Sequence, residues 1–372
     1  MDLRLSEEQE LLRATAREFL QRECPPHLVR ALADDPHGHS PALWEQMAAQ
    51  GWLGAPFPET CGGADYSFLE LCLLIEEQGR VALPGPFLST VVLCGLPLAR
   101  FGSAEQQAAF LPAIAGGRRL MAWVGPPAGV LEADPEALAA SPADGGFRLH
   151  GRVLFVADGL AADHLLVAAR TGSDEALTLF LVDAAAPGIE RTPQETFGTD
   201  RPCEVRLDGV TVPAESVLGP VGEGGPIARQ VEAWGTAAIC AAAVGGAQQV
   251  LEMCVAYAGQ RMQFGRPIGS FQAVQHHCAN MAVDVAASRY MAYEAVWRLS
   301  EGLEAAEEVA VAKAWVSDAY ARVCALGHQV HGAVGFTMEH EMQRYFRHAR
   351  AVEQAFGDGA WHREQVARQL GI

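Results

Sequence analysis

The 372-residue chain is half hydrophobic and carries 27 Lys and Arg against 45 Asp and Glu, a formal charge of −18. That sign argues against a nucleic-acid duplex or an anionic bilayer as partner, and a charged fraction of only 19%, with Gly and Pro spread over short loops, excludes a disordered chain. At roughly 150 residues per domain the length predicts two or three domains around a sizeable core.

The start, Met1-Asp2-Leu3-Arg4-Leu5-Ser6-Glu7-Glu8, lacks the positive charge and apolar run of a signal peptide. It opens an acidic amphipathic helix instead, so a cytoplasmic location is expected. Leu11, Leu12, Ala16 and Phe19 recur at helical spacing behind Ser6, a suitable N-cap. Loops are predicted at Gly54-Ala55-Pro56-Phe57-Pro58 with Cys61-Gly62-Gly63 and at Leu83-Pro84-Gly85-Pro86, with a helix over Phe68–Arg80 between them. Residues 1–118 therefore read as a helical domain. Over 119–224 the pattern changes to short β-branched runs, Val153–Val156, His164–Val167, Leu177–Val182 and Val205–Leu207. No crossover helix fits between them, which predicts a small antiparallel sheet. Over 225–372 helix returns in Ala-rich segments, Ala237–Gln260, Gln272–Ser300 and Glu304–Val330. The small residues predict close packing in a four-helix bundle that doubles as an oligomer interface. The fold class is thus α+β and multidomain.

The longest nearly uncharged stretch, Ala233–Ala247, falls short of the roughly 20 apolar residues of a membrane span. Nine widely spaced cysteines without a CxxC pair read as reduced, buried thiols. Adjacent His276 and His277 point about 100° apart on a helix and lack a further ligand one turn on, so His276-His277-Cys278 is not read as a metal site.

Three motifs in the last domain carry more information. Gln260-Arg261-Met262-Gln263-Phe264-Gly265-Arg266-Pro267-Ile268-Gly269-Ser270-Phe271-Gln272 is followed by Gln329-Val330-His331-Gly332-Ala333-Val334-Gly335-Phe336, and then by Arg347-His348-Ala349-Arg350. With Phe57-Pro58-Glu59, Glu76-Glu77-Gln78-Gly79-Arg80 and Phe101–Pro112 in the first domain, the chain resembles the acyl-CoA dehydrogenase family over nearly its whole length. The resemblance implies an N-terminal helical domain, a middle antiparallel β domain and a C-terminal four-helix bundle. It further implies FAD as cofactor, an acyl-CoA thioester as substrate, and electron-transferring flavoprotein or another acceptor as partner, in the chemistry of β-oxidation. Arg261 would meet the FAD diphosphate, since a guanidinium matches phosphate bidentately. Gln263, Phe264, Phe271, Gln272, Gln329, Gly332, Ala333 and Gly335 would complete that cofactor contact. On its own Phe264 would be a core residue, and Gly332 and Gly335 would be turn glycines at positive φ.

The departures from the family pattern are equally specific. Family members remove an α proton with a glutamate while the β hydride passes to FAD, and a base must be a proton acceptor. Counting from Arg347 places Phe356 at the glutamate, and aligning Ala243-Val244-Gly245 places Gly235 or Trp234 at the alternative glutamate position. The loop that touches flavin and thioester is replaced by Val124–Leu131, and the flavin-packing W-I-T is Phe155-Val156-Ala157. The chain keeps the residues that a neighbouring subunit lends to the cofactor and lacks those of the subunit that owns it. It is similar to partner subunits of heteromeric acyl-CoA dehydrogenases, including those acting on steroid side chains and dicarboxylic acyl-CoAs, whose C-termini also carry F-G-D-x-x-x-H-R like Phe356–Arg363. The expected function is therefore a subunit that completes the FAD site of a homologous, glutamate-bearing subunit in a heterotetramer. Two alternatives stand beside it, a homotetramer with Asp358 as base and a non-catalytic acyl-CoA or flavin-binding scaffold.

Overall fold

The computed structural model describes residues 4–125, 137–172 and 176–372. The first helix, α1 (Glu7–Glu23), starts where Ser6 forms a capping box with Gln9: the Gln9 N–H donates to Ser6 Oγ and the Ser6 N–H donates to Gln9 Oε1. Ala16 and Phe19 enter the core, whereas Leu11 is 67% exposed. After α2 (Pro26–Asp34) and α3 (Pro41–Ala49), α4 (Phe68–Arg80) has the predicted bounds, set by a Ser67/Glu70 capping box. A π-helical segment, Leu88–Gly95, runs into α5 (Leu96–Phe101), and α6 (Ala104–Ala115) closes the domain.

The middle domain is one sheet of β1 (Met121–Val124), β2 (Ala139–Ala143), β3 (Gly146–Val156), β4 (His164–Thr171), β5 (Leu177–Asp183), β6 (Ile189–Pro193), β7 (Cys203–Pro213) and β8 (Val217–Leu218). Its order is β6-β7-β3-β2-β4-β5-β8, with β1 beside β4. The predicted antiparallel sheet is mixed: β1 and β2 both run parallel to β4. The absence of a crossover helix excludes parallel pairing only between consecutive strands, and here the β2–β3 hairpin lies between β1 and β4, and β3 between β2 and β4, in sequence. Along β4 and β5 the period-two alternation divides the side chains between two cores. Leu166, Ala168, Leu179 and Leu181 face the helical domains, while Leu165, Val167, Ala169, Phe180 and Val182 fill the opposite face.

The last domain contains α7 (Gly224–Gln260), a hairpin of β9 (Met262–Gln263) and β10 (Arg266–Pro267), α8 (Gln272–Ser300), α9 (Ala306–His331), α10 (Met342–Gln354) and α11 (Gly359–Leu370). α7, α8 and α9 are the long members of the bundle, α10 is the short fourth, and α11 packs beside α9. By length and composition α7 is long enough and apolar enough to span a membrane, exceeding the sequence-based expectation, but more than half of its apolar window is buried inside the protein. The Ala-rich stretch expected to form an oligomer interface is spent within the subunit, for Ala237, Ala238, Ala241, Ala243, Ala247 and Ala258 are all buried. α4 and α7 cross at backbone contact. A Cβ on Gly79 would lie 2.0 Å from the Ala242 carbonyl, and one on Gly245 would lie 1.9 Å from that of Glu76.

Buried charges reinforce this crossing. Glu76 accepts from Arg289 at 2.7 Å and Tyr293 at 2.5 Å, Glu77 takes a bidentate bond from Arg17, and Arg80 reaches Glu252 at 2.5 Å. Each carboxylate that loses water gains a charge-assisted bond.

Candidate active and cofactor site

The residues read as the neighbour's share of a cofactor site gather at one end of the bundle. Arg261 terminates α7, Gln272 begins α8, and Gln329 and Gly332 end α9. The α7 and α9 ends are tied together by Tyr257, whose ring stacks on His331 at 4.6 Å. Phe264 sits at the tip of the β9–β10 hairpin with φ +53° and is 91% exposed, so the core position expected of an isolated Phe is not what the fold gives it. A two-residue hairpin tip has no layer above it to bury a side chain. Phe271 lies against it at 6.0 Å and takes the Arg266 guanidinium over its own ring at 4.2 Å. Gly332 has φ +63°, and an added Cβ would meet open space, so its freedom serves the turn and leaves the backbone approachable. Gly335 has no positive φ, contrary to expectation. A Cβ there would press to 3.0 Å of His331 Cβ, so this glycine lets the turn close onto α9. Arg261, Gln263, Gln329, Gly332 and Ala333 are exposed, an uncovered arginine and two uncovered amides beside accessible backbone. This donor set suits a diphosphate presented from outside the subunit.

The owner's residues gather elsewhere. Phe155 lies in a β-bulge of β3 with φ +58°, 62% exposed, its N–H donating to Gln194 Oε1 at 2.7 Å. Val156 is buried and Ala157 exposed. Asp158 follows at φ +55°, bonded by the Ser89 hydroxyl, its carboxyl pushed up to about 6 by burial. Ser89 belongs to the π-helical segment that also supplies Leu93, and Leu93 touches the surface of Gly235 on α7. Over the same glycine lies Phe356: a Cβ on Gly235 would come within 2.6 Å of its ring. The two positions at which a family glutamate was sought are therefore one place in space, and an aromatic ring fills it. Of the replaced flavin loop, Val124 and Gly125 are described, and Pro126–Leu131 lie outside the described residues.

Phe356 is held by an uncommon clamp. It has φ +57°, and Lys313, fully buried, donates to the carbonyls of Val352, Glu353 and Gly357 at 3.0, 3.1 and 2.9 Å and to Ser317 Oγ at 2.9 Å. Burial brings the Lys313 ammonium down to about 8. His362 Nε2 bonds the Phe356 carbonyl at 2.8 Å, and burial lowers this imidazole to about 4, which keeps it neutral. Asp358 is the N-cap of α11, accepting from the Trp361 N–H at 2.8 Å. Its carboxylate is thus engaged in holding a helix end.

One acidic residue escaped the sequence reading. Glu232 lies one turn before Gly235 on α7, its carboxyl pushed up to about 7 by burial. Residues three apart share a helix face, so asking for carboxylates one turn from the Gly235 position would have found it.

Comparison with known proteins agrees with this architecture. Residues 6–118 match the acyl-CoA dehydrogenase N-terminal domain and residues 222–371 the C-terminal domain of the same family. The probable acyl-CoA dehydrogenase YngJ of Bacillus subtilis is 30% identical, with both chains covered in full. The fold superposes on a chain of the ChsE4-ChsE5 complex from Mycobacterium tuberculosis with a TM-score of 0.92 at 31% identity, covering 100% of this chain and 99% of the other. It superposes on butyryl-CoA dehydrogenase from Megasphaera elsdenii with a TM-score of 0.91 at 28% identity, each chain fully covered. The chain belongs to the acyl-CoA dehydrogenase family, FAD-dependent oxidoreductases acting on CH–CH bonds.

Proposed function

We propose that this protein is the subunit of a heteromeric acyl-CoA dehydrogenase that completes the FAD site of a glutamate-bearing partner. The observation that carries this is Phe356 on Gly235, which puts a ring where a proton acceptor would have to stand. Distance supports it. Arg261 lies 26 residues beyond Gly235, about 39 Å along the α7 axis. A cofactor with its ring at the Gly235 end therefore draws its Arg261 from another subunit. FAD, when bound, supplies the hydride acceptor. The residues of this chain do the rest of what is asked of a lending subunit: Arg261 and Gln329 meet the diphosphate, Gly332 admits it, and Phe264 projects into the partner. The likeness to a chain of the ChsE4-ChsE5 complex, named for two components, is in keeping with this reading. Acyl-CoA and an electron-accepting flavoprotein are then substrate and partner of the assembly. The test is to purify the chain alone and together with a homologous subunit carrying the family glutamate, and to record flavin per subunit and acyl-CoA oxidation. The expected outcome is activity and bound flavin only in the pair. A full flavin complement with turnover in the lone chain overturns the proposal.

A second reading, a self-sufficient homo-oligomer, is favoured by one observation only. Glu232 presents a carboxyl poised near neutrality one turn from Gly235, in the range that suits a general base. It requires that the lone chain oxidise acyl-CoA and that Glu232→Gln abolish turnover while flavin stays bound.

A further inference from the structure

Where the three domains meet, α2, the loop between β6 and β7 and the start of α10 line a cavity of about 240 Å³, far more than the roughly 10–15 Å³ that admits one water molecule. Three guanidinium groups, from Arg30, Arg344 and Arg347, line it against a single carboxylate, Glu341. Glu341, 3.7 Å from Arg344, offsets only part of that charge. Arg347 donates to the backbone carbonyls of Phe197 at 2.8 Å and Gly198 at 3.2 Å, and Arg30 to that of Glu339 at 3.1 Å. These acceptors are neutral, and among the described residues no carboxylate pairs with Arg30 or Arg347.

Arg344 is the decisive member. It is only 7% exposed and lies over the Tyr345 ring at 5.3 Å, yet its polar partners are one carbonyl, Pro26, at 3.4 Å and the Glu341 carboxylate at 3.7 Å, and its Nε has no hydrogen-bond partner. A buried guanidinium normally satisfies its five donors, because a charge taken out of water without bonds is costly. His340, also on the wall, accepts the Met342 N–H on Nδ1 at 3.1 Å, which leaves a proton on Nε2 as a further donor. Thr199 adds a hydroxyl.

We infer that this cavity binds the phosphate group of a small-molecule ligand, held by Arg30, Arg344 and Arg347 with Thr199 and His340. A phosphate carries roughly −1.5 to −2 charges and three acceptor oxygens, which matches three arginines less one glutamate and exceeds what a single carboxylate offers. The cavity adjoins the glycine turn, for its His340 ring packs at 4.9 Å against His331, the residue before Gly332, but Arg261, Gln329, Gly332 and Ala333 are not part of its lining.

The test is calorimetric titration of the purified protein, in its assembled state, with inorganic phosphate at constant ionic strength, with chloride as control. One saturable site per chain is expected. Arg30→Ala removes an exposed side chain and leaves the fold intact, and it should weaken phosphate binding at least tenfold, as should Arg344→Met if that variant folds. Arg368→Ala, at an exposed arginine of α11 paired with Glu364, should leave phosphate binding unchanged. Coenzyme A and dephospho-coenzyme A distinguish the source. A preference for coenzyme A that disappears in Arg30→Ala assigns the site to the 3′-phosphate of the thioester cofactor, and equal weak binding of both assigns it to free phosphate. No saturable heat, or heat unaltered in Arg30→Ala, overturns the proposal. So does binding by the lone chain that vanishes on assembly, which would mean that an acidic side chain of another subunit occupies the cavity.

Discussion

Phe356 stands where counting from Arg347 puts the glutamate of the family pattern. Its ring rests on Gly235, its φ of +57° is of the kind tolerated only when the surroundings impose it, and Lys313 and His362 supply that imposition by bonding the flanking carbonyls. Phe356→Glu keeps the backbone and places a carboxylate over Gly235. General-base catalysis contributes about 10²–10⁴ in rate, so if FAD is bound at this chain's own Gly235 end, the variant gains acyl-CoA oxidation measurable with an artificial electron acceptor. In the lending-subunit reading the lone variant gains none, because the cofactor it helps to hold belongs to the partner. Lys313 gives a prediction with a defined pH window. Its ammonium titrates at about 8 in the fold against 10.5 unperturbed, lowered chiefly by desolvation. Below pH 8 it is charged in both states and the burial cost is fully present. Between about 8 and 10.5 the folded state releases its proton first, so the unfolded state binds more protons and stability rises with pH. The rise is on the order of 3 kcal/mol. Lys313→Met should flatten that limb of the melting-temperature profile. It should also destabilise the protein at pH 7, by about 1–3 kcal/mol for each buried carbonyl left without a donor.

At the scale of elements, the crossing of α4 over α7 decides the geometry of the candidate site, because it sets where Gly235 lies relative to the first domain. The helices touch through glycine on both sides, Gly79 and Gly245, with clearances that no Cβ can share. Gly245→Ala or Gly79→Ala gains helix propensity of up to about 1 kcal/mol but must separate two buried backbones, an overpacking that costs about 1–3 kcal/mol or more. A net fall in thermal stability is expected for each. The double variant should lose less than the sum, because one separation relieves both clashes. A melting temperature that rises in either single variant would show that the two backbones separate at little cost. The same crossing explains the buried carboxylates: with the backbones in contact, Glu76 and Glu77 have no route to water and must be satisfied by Arg289, Tyr293, Arg17 and Arg80.

For the whole molecule the distribution of exposed apolar side chains matters more than the alanines of α7. Met262, Phe264, Val334, Phe336 and Met338 are all exposed at the bundle end that carries Arg261 and Gly332. Val283 and Tyr290, seven residues apart and so on one face of α8, are exposed as well. Apolar patches of this kind mark subunit contacts. We expect no stable monomer at micromolar concentration by sedimentation, and Phe264→Asp to shift the distribution toward the monomer. In the assembled protein, Arg261→Ala should cost about 2–5 kcal/mol of cofactor affinity, because it leaves a buried diphosphate charge unpaired. Flavin retained after gel filtration measures it. Unchanged retention in Arg261→Ala would remove this end of the bundle from the cofactor site.

The chain's sequence by itself determined what depends on neighbours in sequence. The bounds of α4 and α8, the Ser6 cap and the strand runs from Val153 to Leu207 follow from caps, periodicity and spacing over a few residues, and Phe356 is set at the glutamate position by the family resemblance. Tertiary structure alone decided the features that join distant segments. The parallel pairing of β1 and β2 with β4 follows from which strands the sheet brings together, and no local period encodes it. The burial of the α7 alanines and the exposure of Phe264 depend on what lies opposite each side chain, so composition pointed the wrong way for both. Gly235 and Phe356 meet, and Lys313 reaches the turn that carries Phe356, only because α7, α9 and α10 pack together, and desolvation by that packing moves Lys313, His362 and Glu232 away from their ordinary titration. Burial is a property of the surroundings rather than of the residue.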